Sequence, residues 1–293
     1  MSMNSQILSK EQVLIVGCGD IGARVSQILA DNYAITGLRR NPTGNSDTIN
    51  YQACDVTDPI QLVSVIQQGR YDVVLITMTP GERSDSGYER AYVQTCRNLV
   101  DALRQNVHQP RLALFVSSTA VYGQDDGSWV DEDSITEPES FSGKRLLQAE
   151  RIIQSGGLTA VIIRFSGIYG PGRNYLLEQI RQGRANMSAQ ITNRIHADDC
   201  AGVIAHLINM QRQQILAPIY IGTDSAPVSM AEVVGWLAEK LGVALPVVEH
   251  QLTAVPGNKY CSNRRLLSTG FQFMYADYRA GYKVILSGLA STN

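Results

Sequence analysis

Glycines near the start of the chain have the spacing that lets a backbone hold a phosphate-bearing ligand. Gly17, Gly19 and Gly22 form the pattern G-x-G-x-x-G directly after the apolar run Val13–Val16. In this pattern the first glycine permits a tight turn, the second lets the backbone approach a pyrophosphate, and the third allows close packing of a helix against the strand. The pattern therefore predicts a dinucleotide-binding loop; the alternative is a glycine turn without a ligand.

The segment after the glycines has the apolar spacing of a helix whose first turn would face that ligand. Ile21, Val25 and Leu29 recur at helical spacing, and Asp20 opens the segment. A helix N-terminus supplies amide donors and a favourable dipole to an anion. We therefore assign Asp20 and Ile21 to the cofactor site together with the glycines.

Two consecutive arginines after the next apolar run indicate which dinucleotide is bound. An NAD-binding chain usually places an Asp or Glu about 20 residues after the glycines, on the ribose 2′-hydroxyl. Here the residues are Leu38-Arg39-Arg40-Asn41, and guanidinium groups suit a ribose 2′-phosphate through forked, charge-assisted hydrogen bonds. NADP(H) is the preferred cofactor, with NAD(H) as the second choice. The alternative for Arg39 and Arg40 is a solvated basic turn.

Strand-like apolar runs alternate with helical segments along the chain and would position these groups. The runs are Val13–Val16, Tyr33–Leu38, Val73–Thr77, Leu112–Ser117, Ala160–Phe165 and Ile219–Ile221. Several are apolar on consecutive residues, as in strands that are covered on both faces of a parallel sheet. The alternation predicts an α/β fold, a doubly wound parallel (Rossmann) sheet with a smaller, discontinuous C-terminal substrate lobe.

The composition changes after about residue 167, which suggests where the lobes divide. We expect residues 1–166, with 197–223 returning to them, to form the dinucleotide-binding domain, and residues 167–196 and 224–293 to form the substrate-binding lobe. Within that lobe, Ser229 followed by Glu232 predicts the capped start of a helix. The cleft between the lobes is the expected site.

Charge and cysteine content exclude several other classes of protein. The chain has 293 residues, a net charge of -2 and five cysteines at wide, irregular spacings. These features favour neither a nucleic-acid partner nor a metal site nor a disulfide framework. Since no apolar run reaches the length of a membrane span and residues 1–10 are polar, we expect no membrane partner and a cytoplasmic location.

Several motifs occur in a fixed order along nearly the whole chain. They are Asp55-Val56-Thr57-Asp58, Tyr92–Leu99, Ser117-Ser118-Thr119-Ala120-Val121-Tyr122-Gly123, Arg164–Gly172 and Ile195–Asp199. With the glycine loop, they resemble the extended short-chain dehydrogenase/reductase superfamily of the NAD-dependent epimerase/dehydratase type. The usual glycine spacing there is Gly-x-x-Gly-x-x-Gly, so this chain resembles an atypical branch.

The resemblance implies further cofactor contacts. Asp55, in the Asp-Val element with Val56, would contact the adenine, and Met78 and Thr79 would line the cofactor. Ser117, at the start of the fifth-strand motif, belongs to the same set. Relatives commonly dimerise through two helices from each partner, so the resemblance is compatible with a homodimer but leaves the oligomeric state open.

The residues that would carry catalysis depart from the family pattern. The family uses a Tyr-x-x-x-Lys pair on the helix after the fifth strand, and this chain has no tyrosine between Gly123 and Glu150. Phe141 and Arg145 occupy one register of that pair, and neither transfers protons at neutral pH. The resemblance places Ser118 on the substrate oxygen, which leaves Lys144, with Tyr122, as the candidates for proton relay.

Different functions follow from this departure. The chain is either an NAD(P)-dependent epimerase/dehydratase-type oxidoreductase with a non-standard active site, or a non-catalytic NADP(H)-binding sensor or regulatory protein. In a third interpretation Lys144 is a solvated helix residue, and Tyr122 and Tyr169 are packing residues. Packing or cofactor contact is favoured over acid/base chemistry for both tyrosines.

Polar residues of the second half are the candidates for a small, sugar-nucleotide or phosphorylated substrate. They are Arg173, Asn174, His196, Asn258 and Lys259, together with Thr119 of the Ser-Ser motif. Converging basic groups would suit an anionic substrate, whereas a lone His196 more often ties a loop. The absence of a carboxylate beside Thr119 argues against a 4,6-dehydratase. The acidic run from Asp125 to Asp133 is expected to be a solvated loop.

Overall fold

The computed structural model describes residues 10–44, 46–245 and 258–290. Residues 1–9, to which most of the predicted polar N-terminus belongs, lie outside the described residues. The strands β1 to β13 are Glu11–Val16, Tyr33–Arg39, Asn50–Ala53, Val73–Ile76, Leu112–Ser118, Trp129–Val130, Ala160–Phe165, Gly167–Tyr169, Ile191–Thr192, Arg194–His196, Ile219–Gly222, Val228–Ser229 and Tyr260–Cys261.

Helices follow most of these strands. The α-helices α1 to α10 are Asp20–Leu29, Pro59–Gln68, Asp85–Tyr88, Thr95–Arg104, Phe141–Gln154, Tyr175–Arg181, Ala197–Met210, Met230–Leu241, Arg264–Leu267 and Tyr278–Ala290. A π-helical segment, Glu89–Gln94, leads into α4, and a 3₁₀ turn, Thr119–Val121, follows β5.

The main sheet has the strand order of a doubly wound fold. Its order is β11-β7-β5-β4-β1-β2-β3, and the registers described for its neighbouring strands are parallel. The apolar runs predicted from the sequence coincide with β1, β2, β4, β5, β7 and β11. The predicted α/β class with a parallel sheet is therefore confirmed.

The chain divides into two compact units. Unit 1 comprises residues 1–116, 149–161 and 207–216, and unit 2 comprises residues 117–148, 162–206 and 217–293. The lobe boundaries expected from the sequence remain a prediction.

Unit 1 is built around β1, whose last four residues, Val13–Val16, are fully buried. This strand pairs with β2 on one side and with β4 on the other. Helix α1 covers the strands with its apolar face, where Val25 and Leu29 are buried. Burial of β1 on both faces explains its continuous apolar residues, and the glycine loop begins directly after this strand.

Unit 2 has its apolar core between α6, α8 and α10. Leu177, Val233 and Leu237 are buried there with Tyr169 and Tyr282. The rings of Tyr169 and Tyr282 are stacked with their centroids 4.7 Å apart, as expected of packing residues. Ser229 caps α8 by accepting a hydrogen bond from the Glu232 amide at 3.1 Å, which confirms the predicted start of this helix.

The acidic run differs from the solvated loop that the sequence predicts. Glu132 is only 6% exposed, and its carboxylate accepts a hydrogen bond from the Ile221 amide at 2.9 Å. Arg265 lies 3.6 Å from the other carboxylate oxygen. The expectation of a solvated loop is thus wrong for Glu132, because its carboxylate accepts a hydrogen bond from the backbone of β11 and lies beside the Arg265 guanidinium.

A search for membrane-spanning segments among the described residues gave no candidate: their helices are too short or too polar to cross a bilayer.

Candidate functional site

A cavity of about 810 Å³ in unit 1 brings together most of the predicted cofactor residues. It lies where β1, β2, β3 and β4 end, which is where open parallel sheets bind ligands. The predicted residues that line it are Gly17, Gly19, Arg39, Arg40, Asp55, Val56, Met78 and Thr79.

The glycine loop has a backbone that a larger residue would not adopt. Gly17 has a φ of +78°, and a Cβ atom there would lie 2.4 Å from Met78 Sδ and 3.2 Å from Met78 Cα. The Thr77 hydroxyl donates to the Gly17 carbonyl at 3.0 Å and fixes the turn. A Cβ atom on Gly22 would lie 3.0 Å from both Cys18 Sγ and Ile15 Cγ2, so the helix packs tightly on the strand.

Helix α1 begins in a way that leaves room for an anionic ligand. Its N-cap is Gly19, and no side chain of the described residues caps the helix there. By contrast, Asp58 caps α2 through its carboxylate. Gly19 lines the cavity, so the positive end of the helix dipole of α1 favours an anion there. A Cβ atom on Gly19 would meet no atom closer than 4.0 Å, so the approach to the loop is open.

The two arginines play different parts in the cavity wall. Arg39 Nε donates to the Cys18 carbonyl, and its guanidinium lies 4.4 Å from the centroid of the Tyr51 ring. Arg39 therefore ties the glycine loop to β3 while it faces the cavity. Arg40 is exposed on the same wall, and its charge is available to a ligand phosphate.

Side-chain amides on α4 and the π-helical segment hold the loop that contains Asp55. The Asp55 carboxylate accepts from the Thr57 hydroxyl at 2.7 Å. The Thr57 carbonyl accepts from Asn98 Nδ2 at 3.0 Å and from Gln94 Nε2 at 3.1 Å. Similarly, the Tyr92 hydroxyl donates to the Met78 carbonyl at 3.2 Å. These contacts fix both loops that complete the cavity.

The other predicted cofactor residues do not line this cavity. Asp20 forms an ion pair with Arg24 at 2.8 Å on the surface of α1, and Ile21 is buried beneath the loop. Gly22 serves the helix–strand contact. Ser117 belongs to unit 2, where it is buried at the end of β5.

Cys18 is positioned as a small packing residue of the loop. It is fully buried, and burial raises the pKa of its thiol to about 11. A cysteine that senses redox state needs an accessible thiolate. The buried Cys18 thiol is not accessible in this way, so its geometry favours a packing role.

In unit 2, the Ser118 turn lies beside the start of α5. The Ser118 hydroxyl accepts from the Ala120 amide at 3.2 Å and caps the short 3₁₀ turn. A Cβ atom on Gly143 would lie 2.3 Å from the Ala120 carbonyl oxygen, so only glycine allows this approach. The contact places the backbone of α5 at Gly143 against the Ser118 turn, and the next residue, Lys144, is exposed.

Tyr122 lies in a different environment from Lys144. It is 2% exposed, and its hydroxyl accepts from buried Arg164 at 2.8 Å. Burial raises the pKa of this hydroxyl despite the nearby guanidinium. A buried phenol held in this way favours packing over proton transfer.

Two of the substrate candidates, Asn258 and Lys259, lie directly before β13 and are bonded to residues of β9 and of the turn after it. Asn258 Oδ1 accepts from the Ile191 amide at 2.8 Å, and Asn193 binds the Lys259 carbonyl at 2.9 Å. Lys259 is 8% exposed, and burial lowers the pKa of its ammonium group. The side chain of Thr119, another substrate candidate, is hydrogen-bonded to the side chain of Cys261, which lies two residues after Lys259.

The remaining substrate candidates are dispersed in unit 2. Arg173 is exposed, and Asn174 lies at the start of α6. His196 is 1% exposed, with its Nδ1 accepting from the Asp198 amide at 3.1 Å. The His196 ring also packs edge-on against Tyr169, with centroids 5.2 Å apart. This geometry favours the loop-tying role for His196.

Comparisons with known proteins agree with this fold. The sequence model of the NAD dependent epimerase/dehydratase family matches residues 13–216. A solved structure from Methylobacillus flagellatus, assigned to the NAD-dependent epimerases/dehydratases, is 37% identical, with a TM-score of 0.81 over 96% of this chain and 100% of that one. The chain therefore belongs to the NAD-dependent epimerase/dehydratase family, as the sequence motifs predicted.

More distant relatives are similar over nearly their whole length. The 3-diazoavenalumate denitrifying reductase of a Streptomyces species is 22% identical over 92% of this chain and 98% of its own length. The human epimerase family protein SDR39U1, solved with NADPH, is 20% identical, with a TM-score of 0.75 over 93% of this chain and 99% of that one.

Proposed function

We propose that this chain is an NADP(H)-dependent oxidoreductase of the epimerase/dehydratase type. The observation that carries the proposal is the cavity of unit 1. The glycine loop, the uncapped start of α1 and two arginines line this one cavity. Gly17 and Gly19 leave space for a pyrophosphate, and Arg39 and Arg40 supply the charge that a ribose 2′-phosphate requires. The human relative was solved with NADPH and MoeE5 with NAD, so the relatives support a nicotinamide nucleotide, and the choice of NADP(H) depends on the two arginines.

Substitution of the arginines tests the choice between NADP(H) and NAD(H). Arg40→Ala should weaken NADPH binding about tenfold to a hundredfold, the effect of losing a charge-assisted hydrogen bond, and should leave NADH binding nearly unchanged. Arg39→Ala should weaken both nucleotides, because Arg39 also holds the Cys18 carbonyl. Fluorescence titration with each nucleotide measures these constants.

Arg70→Ala is the matched control, because Arg70 is an exposed arginine of unit 1 outside the cavity. If Arg40→Ala binds NADPH as tightly as the unchanged chain does, the arginine is a solvated residue and the preference for NADP(H) is refuted.

We further infer that the substrate is a small anionic molecule of the sugar-nucleotide or phosphorylated class. Exposed Arg173 supports an anionic group. A structural relative, MoeE5, was solved with UDP-glucose and NAD, which supports a nucleotide-sugar. In this reaction Ser118 would hold the substrate oxygen, and Lys144 would relay the proton.

Ser118→Ala tests whether the chain turns over a substrate. With a panel of keto sugars and their phosphates, the unchanged chain should oxidise NADPH, and Ser118→Ala should lower kcat/KM about a hundredfold. The Kd of Ser118→Ala for NADPH should equal that of the unchanged chain. Ser118→Thr should restore activity, since it keeps a hydroxyl, and Ser142→Ala on neighbouring α5 is the control. The loss of nicotinamide absorbance measures the rate.

The second candidate is a non-catalytic NADP(H) sensor, and a specific observation favours it. Phe141 stands in one register of the missing tyrosine, Lys144 is exposed, and the Tyr122 hydroxyl is committed to Arg164. Tight NADPH binding without oxidation of NADPH by any substrate of the panel would support the sensor and contradict the enzyme.

A further inference from the structure

A third arginine lies in the wall of the unit 1 cavity, apart from Arg39 and Arg40. Arg90, in the π-helical segment that leads into α4, lines the cavity together with Glu82 of the loop after β4. The side chains of both residues are accessible: 55% of the Arg90 side chain and 67% of the Glu82 side chain are exposed. A ligand in this cavity can therefore reach the Arg90 guanidinium.

The sheet order places these arginines on chain segments that follow different strands. Arg39 is the last residue of β2 and Arg40 follows it, whereas Arg90 belongs to the segment that follows β4. The strand β1, which leads into the glycine loop, lies between β4 and β2 in the sheet. A dinucleotide whose pyrophosphate lies on the glycine loop would thus have cationic side chains from the segments after both neighbouring strands.

Backbone contacts hold the segment that carries Glu82 and Arg90. A Cβ atom on Gly87 would lie 2.4 Å from the Glu82 carbonyl oxygen, so glycine is needed for the chain to fold back this closely. The Tyr92 hydroxyl donates to the Met78 carbonyl at 3.2 Å, which joins the π-helical segment to the start of the loop. Because the two charged side chains are exposed, they can change partners while this backbone stays in place.

The Arg90 guanidinium is paired with the Glu82 carboxylate. Arg90 Nη2 lies 3.5 Å from Glu82 Oε2, which is long for a charge-assisted hydrogen bond. An exposed ion pair of this kind is screened by water and contributes little to stability. A phosphate group is a better partner for Arg90, because the planar guanidinium can donate two parallel hydrogen bonds to its oxygens. The Glu82 carboxylate, by contrast, repels an anionic ligand in the same cavity.

We propose that Arg90 exchanges Glu82 for the pyrophosphate of the bound nucleotide, so that the Glu82–Arg90 ion pair is a latch that the ligand opens. This inference rests on the proposed function, because it requires a dinucleotide in the cavity. Arg39 and Arg40 are assigned there to the ribose 2′-phosphate. The pyrophosphate, which NADPH and NADH share, is the anionic group that remains for Arg90. Arg90 therefore governs the affinity for both nucleotides, and Arg40 governs the choice between them.

Fluorescence titration of charge-removing variants with NADPH and NADH tests this exchange. Arg90→Gln should weaken both nucleotides by the same factor, about tenfold, because it removes a charge-assisted contact that both ligands make. Glu82→Gln should tighten both about threefold, since the competing carboxylate is lost. Arg97→Gln is the matched control and should change neither affinity, because Arg97 is an exposed arginine of α4 outside the cavity lining.

Fragments of the nucleotide separate a contact with the pyrophosphate from a general loss of binding. Adenosine 2′-phosphate carries only the phosphate assigned to Arg39 and Arg40, so Arg90→Gln should leave its Kd unchanged in calorimetric titration. Adenosine 2′,5′-bisphosphate adds a phosphate where the pyrophosphate begins, and Arg90→Gln should weaken it about tenfold.

The outcomes separate this inference from the proposed function. Equal weakening of both fragments by Arg90→Gln, or an NADPH affinity that either Arg90→Gln or Glu82→Gln leaves unchanged, would overturn the latch while the nucleotide site stands. Binding of neither NADPH nor NADH by the unchanged chain would overturn the proposed function and the latch together.

Discussion

Gly17→Ala is expected to remove nicotinamide nucleotide binding. The substitution places a methyl group 2.4 Å from Met78 Sδ and 3.2 Å from Met78 Cα, at a backbone φ of +78°. An L-residue at this φ is strained by about 1 to 2 kcal/mol, the Met78 side chain must turn away, and the tight contact with Met78 Cα must be relieved by a shift of the loop. Displacement of the loop removes the surface that would receive the pyrophosphate. We therefore expect at least about a hundredfold loss of NADPH affinity, or about 2.7 kcal/mol, measured by fluorescence titration.

Gly44→Ala is the matched control for this experiment. Gly44 has nearly the same backbone conformation, with a φ of +77°, but a Cβ atom there would meet no atom within 4 Å. It should therefore cost stability through strain alone and leave the nucleotide affinity unchanged. Equal losses of affinity in both variants would show that strain, and not the approach to Met78, is the cause.

Asp224→Asn is expected to change how the stability of the chain depends on pH. Burial raises the carboxyl pKa from an ordinary 3.8 to about 7 in the folded chain. The folded state therefore binds this proton more tightly than the unfolded state does, and the associated stability is lost as the pH rises toward 7. Asn cannot ionise. The free energy of unfolding of the variant, relative to that of the unchanged chain, should therefore rise by about 3 kcal/mol from pH 5 to pH 8. Urea unfolding at several pH values measures this difference.

Asp199→Asn provides the contrast, because both oxygens of Asp199 are used. They accept from the Met274 amide at 2.7 Å and from the Tyr275 amide at 3.2 Å. An Asn side chain would turn one acceptor into a donor facing an amide, which costs about 1 to 3 kcal/mol. The variant should be less stable than the unchanged chain at pH 5, and this deficit should become smaller toward pH 8, because burial also raises the pKa of the Asp199 carboxyl group to about 6. A gain at pH 8 equal to that of Asp224→Asn would contradict these assignments.

Most strands of unit 1 and its glycine loop could be predicted from the local sequence. The apolar runs become the strands of the sheet because continuous burial demands continuous apolar residues, as in Val13–Val16. The exception is β3, Asn50–Ala53, a polar edge strand whose exposed residues give no apolar signal. The residues that support the loops, such as Thr77 and Tyr51, could not be predicted, because their roles depend on contacts across strands.

Unit 2 was less predictable for a physical reason. Asp224 lies in the stretch Thr-Asp-Ser, which looks like an ordinary polar turn in the sequence. Residues distant in sequence hold it in place: the Asp224 amide donates to the Arg194 carbonyl at 2.7 Å, and Asn263 donates to the neighbouring Thr223 carbonyl at 2.9 Å. The role of Glu132 could not be predicted for the same reason, since an acidic run does not indicate that one of its carboxylates binds the backbone of β11.

Calorimetric titration of the purified chain with NADPH, and separately with NADH, tests the central claim most directly. The cavity of unit 1, with Arg39 and Arg40 in its wall, predicts saturable binding at one site per chain, tighter for NADPH than for NADH. Binding of neither nucleotide would mean that the glycine loop serves only as scaffold, and it would contradict both the oxidoreductase and the sensor.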